Sequence, residues 1–508
     1  MSTATALATV GIRTFDWLDY LVLGAYLATN LVVGWRWARR RQSADGFFRG
    51  ERRVRWWAAG ISFYATATTS ISFMAVPAKS YATDWRAIGS APAQAAATLV
   101  IAFCFVGALR RLNITTVFEY LDLRFGRAVR LLGAALSVLL KVFGRMSVVM
   151  LLPAMALASV TGFNVYACIA ILGGVTVAYA MLGGFTAVLW TDVFQFVVMF
   201  GGVAIALCYV AAGVPGGFGG ILETGWREGK LAAVSWEWDF TEPTVWVFAG
   251  LMVRTVFTQL SDQSLMQRVF ATADERAARR TVALGALLGL PSSVLFFFVG
   301  TALFAFYRTH TAPPAGLPND AIFPFFIVSE LPRGVVGLVI AGVLASAMGA
   351  LSSDVNSAAT VIATDFLPLF RAQPTDRQKL AVARGATIAA GLAATLTAAY
   401  LASLNVPSLW DQVLMLAALI GGGLPGVFAL GLLTRRATAP GVIVGVLISV
   451  GVTAWLQAFT SINPFFQGFA AVMTCLVTGY GASLCLPSRA APRDLRGLTV
   501  WDLARTGR

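Results

Sequence analysis

Thirteen apolar stretches run through almost the whole chain, each near the roughly 20 residues that a helix needs to cross about 30 Å of hydrocarbon. They lie near 16–36, 57–78, 88–109, 131–160, 164–183, 186–212, 244–266, 281–307, 334–365, 382–403, 408–433, 439–459 and 466–487. With 58% hydrophobic and 12% charged residues, the 508-residue chain holds more apolar material than a soluble core of that size uses. The fold class is therefore an all-α, polytopic membrane domain spanning 1–508. The opening segment MSTATALATVGIRTF lacks a basic n-region and a cleavage site before polar sequence, so the first span is expected to stay. The segments 214–243 and 308–333 read as caps over an external mouth, and the basic tail as a surface strap.

Lysine and arginine set the expected orientation. With the N-terminus outside and the C-terminus in the cytoplasm, inward segments carry 28 of the basic residues and outward segments seven. The net charge of +14 is then a topology signal with some attraction to an anionic inner leaflet of the lipid bilayer, and nucleic acid is not an expected partner. Three basic residues, Lys141, Arg145 and Arg254, fall inside spans. Five scattered cysteines form no C-x-x-C pair, and the single histidine, His310, has no nearby partner, which excludes a zinc site and a histidine-based triad. No P-loop is present, so ATP is not the direct driver, and no nucleophile–base arrangement points to an enzyme. No required protein partner is evident.

Polar residues inside apolar spans mark the candidate sites. The second span places Thr66, Thr68, Thr69, Ser70 and Ser72 at mid-membrane, where hydroxyls that compete for backbone bonds favour an unwound segment with carbonyls free for a cation. The alternative is hydroxyls bonded to their own helix or packed against a neighbour. Asp192 stands well inside the sixth span and needs a cation, a proton or a basic partner, or hydrogen bonds from Thr191 or Gln195. Lys141 and Arg145, four residues apart, share a helical face. Arg145 is suited to a solute carboxylate, or to an internal pair with Asp192 or another buried acid. Glycines interrupt the eleventh span at Gly421, Gly422 and Gly423, read as a hinge, while ILGGV and MLGGF around the fifth span favour close helix packing.

The stretch from Ser43 to Trp85, followed by GGFTAVLWTDVFQ, SDQSLMQR and ALSSDVNSAAT in that order, resembles the sodium:solute symporter family, and within it the branch of bacterial sialic acid symporters. The resemblance implies a LeuT-type inverted repeat, with core repeats over about 57–212 and 244–433, one extra helix before them and two after, in a bacterial inner membrane. It implies alternating access around a midplane site. Residue by residue, it implies a main sodium site using the carbonyls of Ala65 and Thr68 with Ser346, yet the hydroxyl pair the family places there is Gly349 and Ala350 here. An additional sodium site is implied at Asp192, Ser352 and Ser353. For the solute, Arg145, Thr69 and Ser72 match, whereas Ala67, Ala87 and Ala91 replace polar or aromatic positions. The expected activity is sodium-coupled symport of a small carboxylate-bearing organic anion: sialic acid, another sugar acid, a monocarboxylate or an amino acid. A proton-coupled or uncoupled carrier, encouraged by Gly349 and Ala350, and a non-transporting solute sensor stay open.

Overall fold

The computed structural model describes residues 15–39, 43–314, 316–404, 423–486 and 497–501. The molecule is a helical bundle whose core elements are α1 (Trp17–Ala38), α2 (Trp56–Ala67), α3 (Ser70–Ala82), α4 (Arg86–Arg111), α5 (Arg127–Ala158), α6 (Val165–Gly213), α7 (Val245–Ser261) and α8 (Gln263–Phe270). They are followed by α9 (Glu275–Thr309), α10 (Val335–Phe370), α11 (Asp376–Ser403), α12 (Gly423–Leu433), α13 (Ala439–Phe459) and α14 (Pro464–Cys485). Among the described residues nine helices are long and apolar enough to cross a membrane, with α2 and α3 forming a tenth as a bent pair. Gly421 and Gly422 of the triple glycine lie outside the described residues, as do residues 408–422 of the expected eleventh span.

Local chemistry decides where the helices break. Thr68 and Thr69 are extended (φ −88°, ψ 129° and φ −121°, ψ 172°), and α2 and α3 meet there at 59°. β-Branched residues with hydroxyls tolerate that geometry better than a helical one. A second break, not expected from the apolar run 244–266, separates α7 from α8 at Asp262 (φ −86°, ψ 106°). Its carboxylate accepts from the Ser264 amide (2.8 Å), capping α8. All eight residues of α8 are buried, including Arg268, which therefore belongs to the interior and not to an inward loop.

The fifth and sixth expected spans are one run of 49 residues, which as a straight rod would be about 74 Å long. Gly184 turns it at φ 60°, ψ −157°, a conformation essentially reserved for glycine, and a Cβ there would meet the Phe47 ring. Beside it Gly183 packs against the Gly34 backbone of α1. MLGGF thus supplies both a turn and a close approach. At the N-terminal end of α10, Asp19 of α1 accepts the Gly334 and Gly337 amides (2.8 and 2.7 Å), which fixes α1 to a helix start. Short helices Gly217–Arg227 and Ile322–Ser329 occupy the two expected cap segments. Trp501 Nε1 donates to the Leu433 carbonyl (2.7 Å) and Tyr120 to that of Leu498 (3.0 Å), so the described part of the tail is strapped to the bundle.

Candidate functional site

Two charged clusters occupy the centre of the bundle, between α2, α5, α6, α8 and α10. In the first, a π-turn of α5 over Leu140–Arg145 presents Lys141 and Arg145 together. Lys141 Nζ donates to Asp262 Oδ1 (2.6 Å) and Ser357 Oγ (3.2 Å), touches Ser264 Oγ, and lies 3.4 Å from Asp354 Oδ1. Arg145 Nη1 faces Asp262 Oδ2 (3.5 Å) and Asp354 Oδ1 (3.3 Å), and its Nη2 donates to the Thr66 carbonyl (2.6 Å). Two cations of α5 balance two carboxylates, one from the α7–α8 joint and one from α10, which is what burial requires of charges. Asp354 Oδ2, also buried, receives no hydrogen bond.

The second cluster is fully enclosed. Arg268 Nη2 donates to Asp192 Oδ2 (3.1 Å) and contacts Ser353 Oγ, its Nε donates to Ser62 Oγ (3.0 Å), and its Nη1 reaches the Ser264 carbonyl. Ser62 also donates to Asp192 Oδ2, and both charged side chains are 0% exposed. The basic partner that Asp192 demanded is therefore Arg268. Thr191 instead donates to its own helix at Val188 (2.9 Å).

The other oxygen of Asp192 is left over. Asp192 Oδ1 and Gln195 Oε1 are buried with no hydrogen-bond donor. Both converge on Gly349: the point where a Cβ would sit is 3.1 Å from Gln195 Oε1, 3.3 Å from Asp192 Oδ1 and 3.8 Å from the Ala65 carbonyl. Ala65 lies in the last turn before the Thr68–Thr69 break, where the Thr68 amide still bonds back to Tyr64 (2.9 Å). Gln195 is oriented by donating Nε2 to Asn30 (2.9 Å), so its carbonyl end faces the gap. A carboxylate oxygen and an amide oxygen without donors, with a backbone carbonyl beside them, form an environment suited to a small hard cation.

Beside the α2–α3 break lies a half-open cavity walled by α2, α3, α4, α7 and α9. Phe63, Tyr64 and Phe296 supply aromatic surface, and Thr68, Ser72, Gln94, Thr98, Gln259 and Ser292 supply polar groups. Among the described lining residues none is charged.

The expected residues divide accordingly. Ala65, Asp192 and Gly349 come together, and Thr68 and Ser72 line the cavity along with Ala67 and Ala91. Ser353 turns to Arg268 and Thr66 (Oγ to Oγ 3.0 Å), Ser352 donates to the Gly349 carbonyl (3.2 Å), and Ser346 to that of Val343 (2.7 Å). Thr69 is buried at the break, its carbonyl accepting from Ser72 (2.9 Å), and neither it nor Arg145 is among the cavity's described lining residues. Arg254 lies apart against Gly468 of α14, and His310 stacks on Phe306 at 3.9 Å. Sequence reasoning missed Asp262 and Arg268. The signal was there: Asp-x-Ser inside an apolar run is a helix-capping pattern, and an arginine close behind it belongs to the short helix so begun.

This arrangement has close relatives. A sodium/sialic acid symporter, NanT, of Aliivibrio fischeri is 34% identical over 478 residues, covering 92% of this chain and 93% of its own. A solved Na+-coupled sialic acid symporter, substrate-bound and outward-open, superposes with a TM-score of 0.86 at 31% identity, covering 93% of this chain and 98% of that one. Mhp1, a nucleobase-cation symporter captured closed, matches in fold alone, with a TM-score of 0.52 at 16% identity over 89% of this chain and 97% of its own. The described helices, broken at Thr68 and again at Asp262, are those of the LeuT-type inverted-repeat fold. The family model for sodium:solute symporters matches residues 47–449, and the chain, a multi-pass membrane protein, belongs to the sodium:solute symporter family.

Proposed function

We propose that this protein is a secondary active transporter that moves a small polar organic solute together with sodium by alternating access. The observation that carries this is the pairing of an oxygen-lined gap at Gly349 with a cavity lined by polar and aromatic side chains beside the same α2–α3 break. A helix broken at mid-membrane serves both: its freed carbonyls face an ion while its hydroxyls face the solute. The coupling ion is read as sodium held by Asp192 Oδ1, Gln195 Oε1 and the Ala65 carbonyl, with the Gly349 gap as its seat. This adds Gln195 to the expected set, in which Ser352 donates its proton to the Gly349 carbonyl and Ser353 accepts from Arg268. The relatives' names speak of sodium and sialic acid and support coupled uptake of a small organic solute. The bias of lysine and arginine supports an external N-terminus and a cytoplasmic C-terminus, and the bacterial relative supports a bacterial inner membrane. One membrane domain, with repeats over about 57–212 and 244–433 and peripheral helices near 16–36, 439–459 and 466–487, is the proposed organisation.

Uptake into proteoliposomes under an inward sodium gradient, against equal gradients of potassium or of protons, tests this. Uptake that follows sodium and is lost in Gln195→Ala supports it. Uptake driven by protons alone would transfer the coupling role to protonation of Asp192.

A further inference from the structure

We infer that the solute is uncharged and rich in hydroxyl groups, because the protein's own carboxylates already balance the charge of the guanidinium that an acid would need. The inference rests on the reading that the cavity beside Thr68 is the solute site of a symporter. Of the two arginines inside the expected spans, Arg254 lies apart against Gly468, which leaves Arg145 as the one to offer a solute carboxylate. In the structure both terminal nitrogens are engaged, Nη1 by Asp262 and Asp354 and Nη2 by the Thr66 carbonyl. Its neighbour Lys141 is bonded to the same two acids. The cluster carries no net positive charge with which to draw in an anion.

The cavity tells the same story from its own walls. Its described lining contains neither lysine nor arginine, so a carboxylate placed there would surrender its hydration with no cation in return. What the walls offer instead are neutral donors and acceptors on several sides. Ser72 and Thr68 project from the break, Gln94 and Thr98 from α4, Gln259 from α7 and Ser292 from α9. Gln259 is held in place by the Thr98 hydroxyl (3.0 Å), which ties α7 to α4 across the cavity wall. Amides and hydroxyls that both donate and accept match vicinal hydroxyls, and the Phe63 and Phe296 rings offer apolar faces to a carbon ring. A site built from such groups discriminates strongly against ligands that cannot satisfy them. Asp262 and Asp354 thus act as resident substitutes for a substrate carboxylate, while Ala67 and Ala91 put only methyl groups into the cavity wall.

The test uses matched pairs that differ in one carboxylate: glucose with glucuronate, galactose with galacturonate, and sorbitol with gluconate. Binding to the purified full-length protein in sodium is read by thermal stabilisation and calorimetry. The expected result is stabilisation by a neutral member and not by its acid, with affinity falling about tenfold or more in Gln259→Leu and in Gln94→Leu. Asp354→Asn, which frees one partner of Arg145, should raise the affinity for the matching acid. Should an acid bind and its neutral partner not, the inference is overturned while the symport reading stands. A neutral solute that binds but is not taken up with sodium supports the solute class and overturns symport. A panel that stabilises nothing counts against the inference, as does neutral binding unaltered in both glutamine variants.

Discussion

Placing one methyl group at Gly349 separates the two candidate ion sites. In Gly349→Ala the new Cβ would sit 3.1 Å from Gln195 Oε1 and 3.3 Å from Asp192 Oδ1, closer than ordinary carbon–oxygen contact and inside the gap proposed for the ion. The helix itself gains, since alanine is favoured over glycine in a helix interior by about 1 kcal/mol, so ion-free stability should change little or rise. Sodium binding, however, loses its seat. At a sodium concentration 100 times the dissociation constant, binding stabilises the folded state by about 2.7 kcal/mol, and a tenfold weakening cuts this to about 1.4 kcal/mol. The assay is thermal unfolding in detergent, sodium against potassium at constant ionic strength, across a sodium titration. The sodium-dependent shift should shrink by about half or more at the concentration that saturates the wild type. If Gly349→Ala keeps the full shift while Ser352→Ala and Ser353→Ala together remove it, the ion sits with the serines and the reasoning from the donor-free oxygens fails.

Two further outcomes follow from buried charge and backbone. Asp192→Asn or Arg268→Met alone leaves an uncompensated charge in a fully enclosed pair, at a cost of about 3–5 kcal/mol, whereas the double variant should recover much of that loss; a double-mutant cycle in urea or heat unfolding with no coupling would show that the pair is not what holds them. Gly184→Ala forces a side chain into a glycine-only conformation and toward Phe47, and should lower stability by at least about 2 kcal/mol, with Phe47→Ala relieving only the contact portion; an unchanged melting temperature would mean that the turn at Gly184 carries no strain.

Much of the bundle was legible because lipid imposes a simple rule: backbone groups must be satisfied within each helix, so apolar length reports the spans directly. The break at Thr68 and Thr69 could be anticipated for the same reason, since a run of hydroxyls at mid-span contradicts the rule. The site was less legible, because side-chain pairing depends on where distant helices meet. Asp192 and Arg268 stand 76 positions apart, and nothing in the chain between them states that α6 and α8 will present these two groups to each other. Arg145 shows the same: its place on α5 is visible in the chain, but its contacts with Asp262 and Asp354 are not. Gly349 shows the converse. Read as a lost hydroxyl it argues against an ion, yet without a side chain there the oxygens of Asp192 and Gln195 face an open gap.

The two carboxylates around Lys141 and Arg145 come from different parts of the bundle, Asp354 from within α10 and Asp262 from the joint between α7 and α8. If the broken helices tilt against α5 and α10, Asp262 departs with one body while Asp354 stays with the other. The cations then pass from two partners to one and are not stripped bare, so the electrostatic barrier to the motion is that of a handover. Such a joint would behave as a latch with two stable settings, holding each facing of the transporter until ion and solute together favour the other.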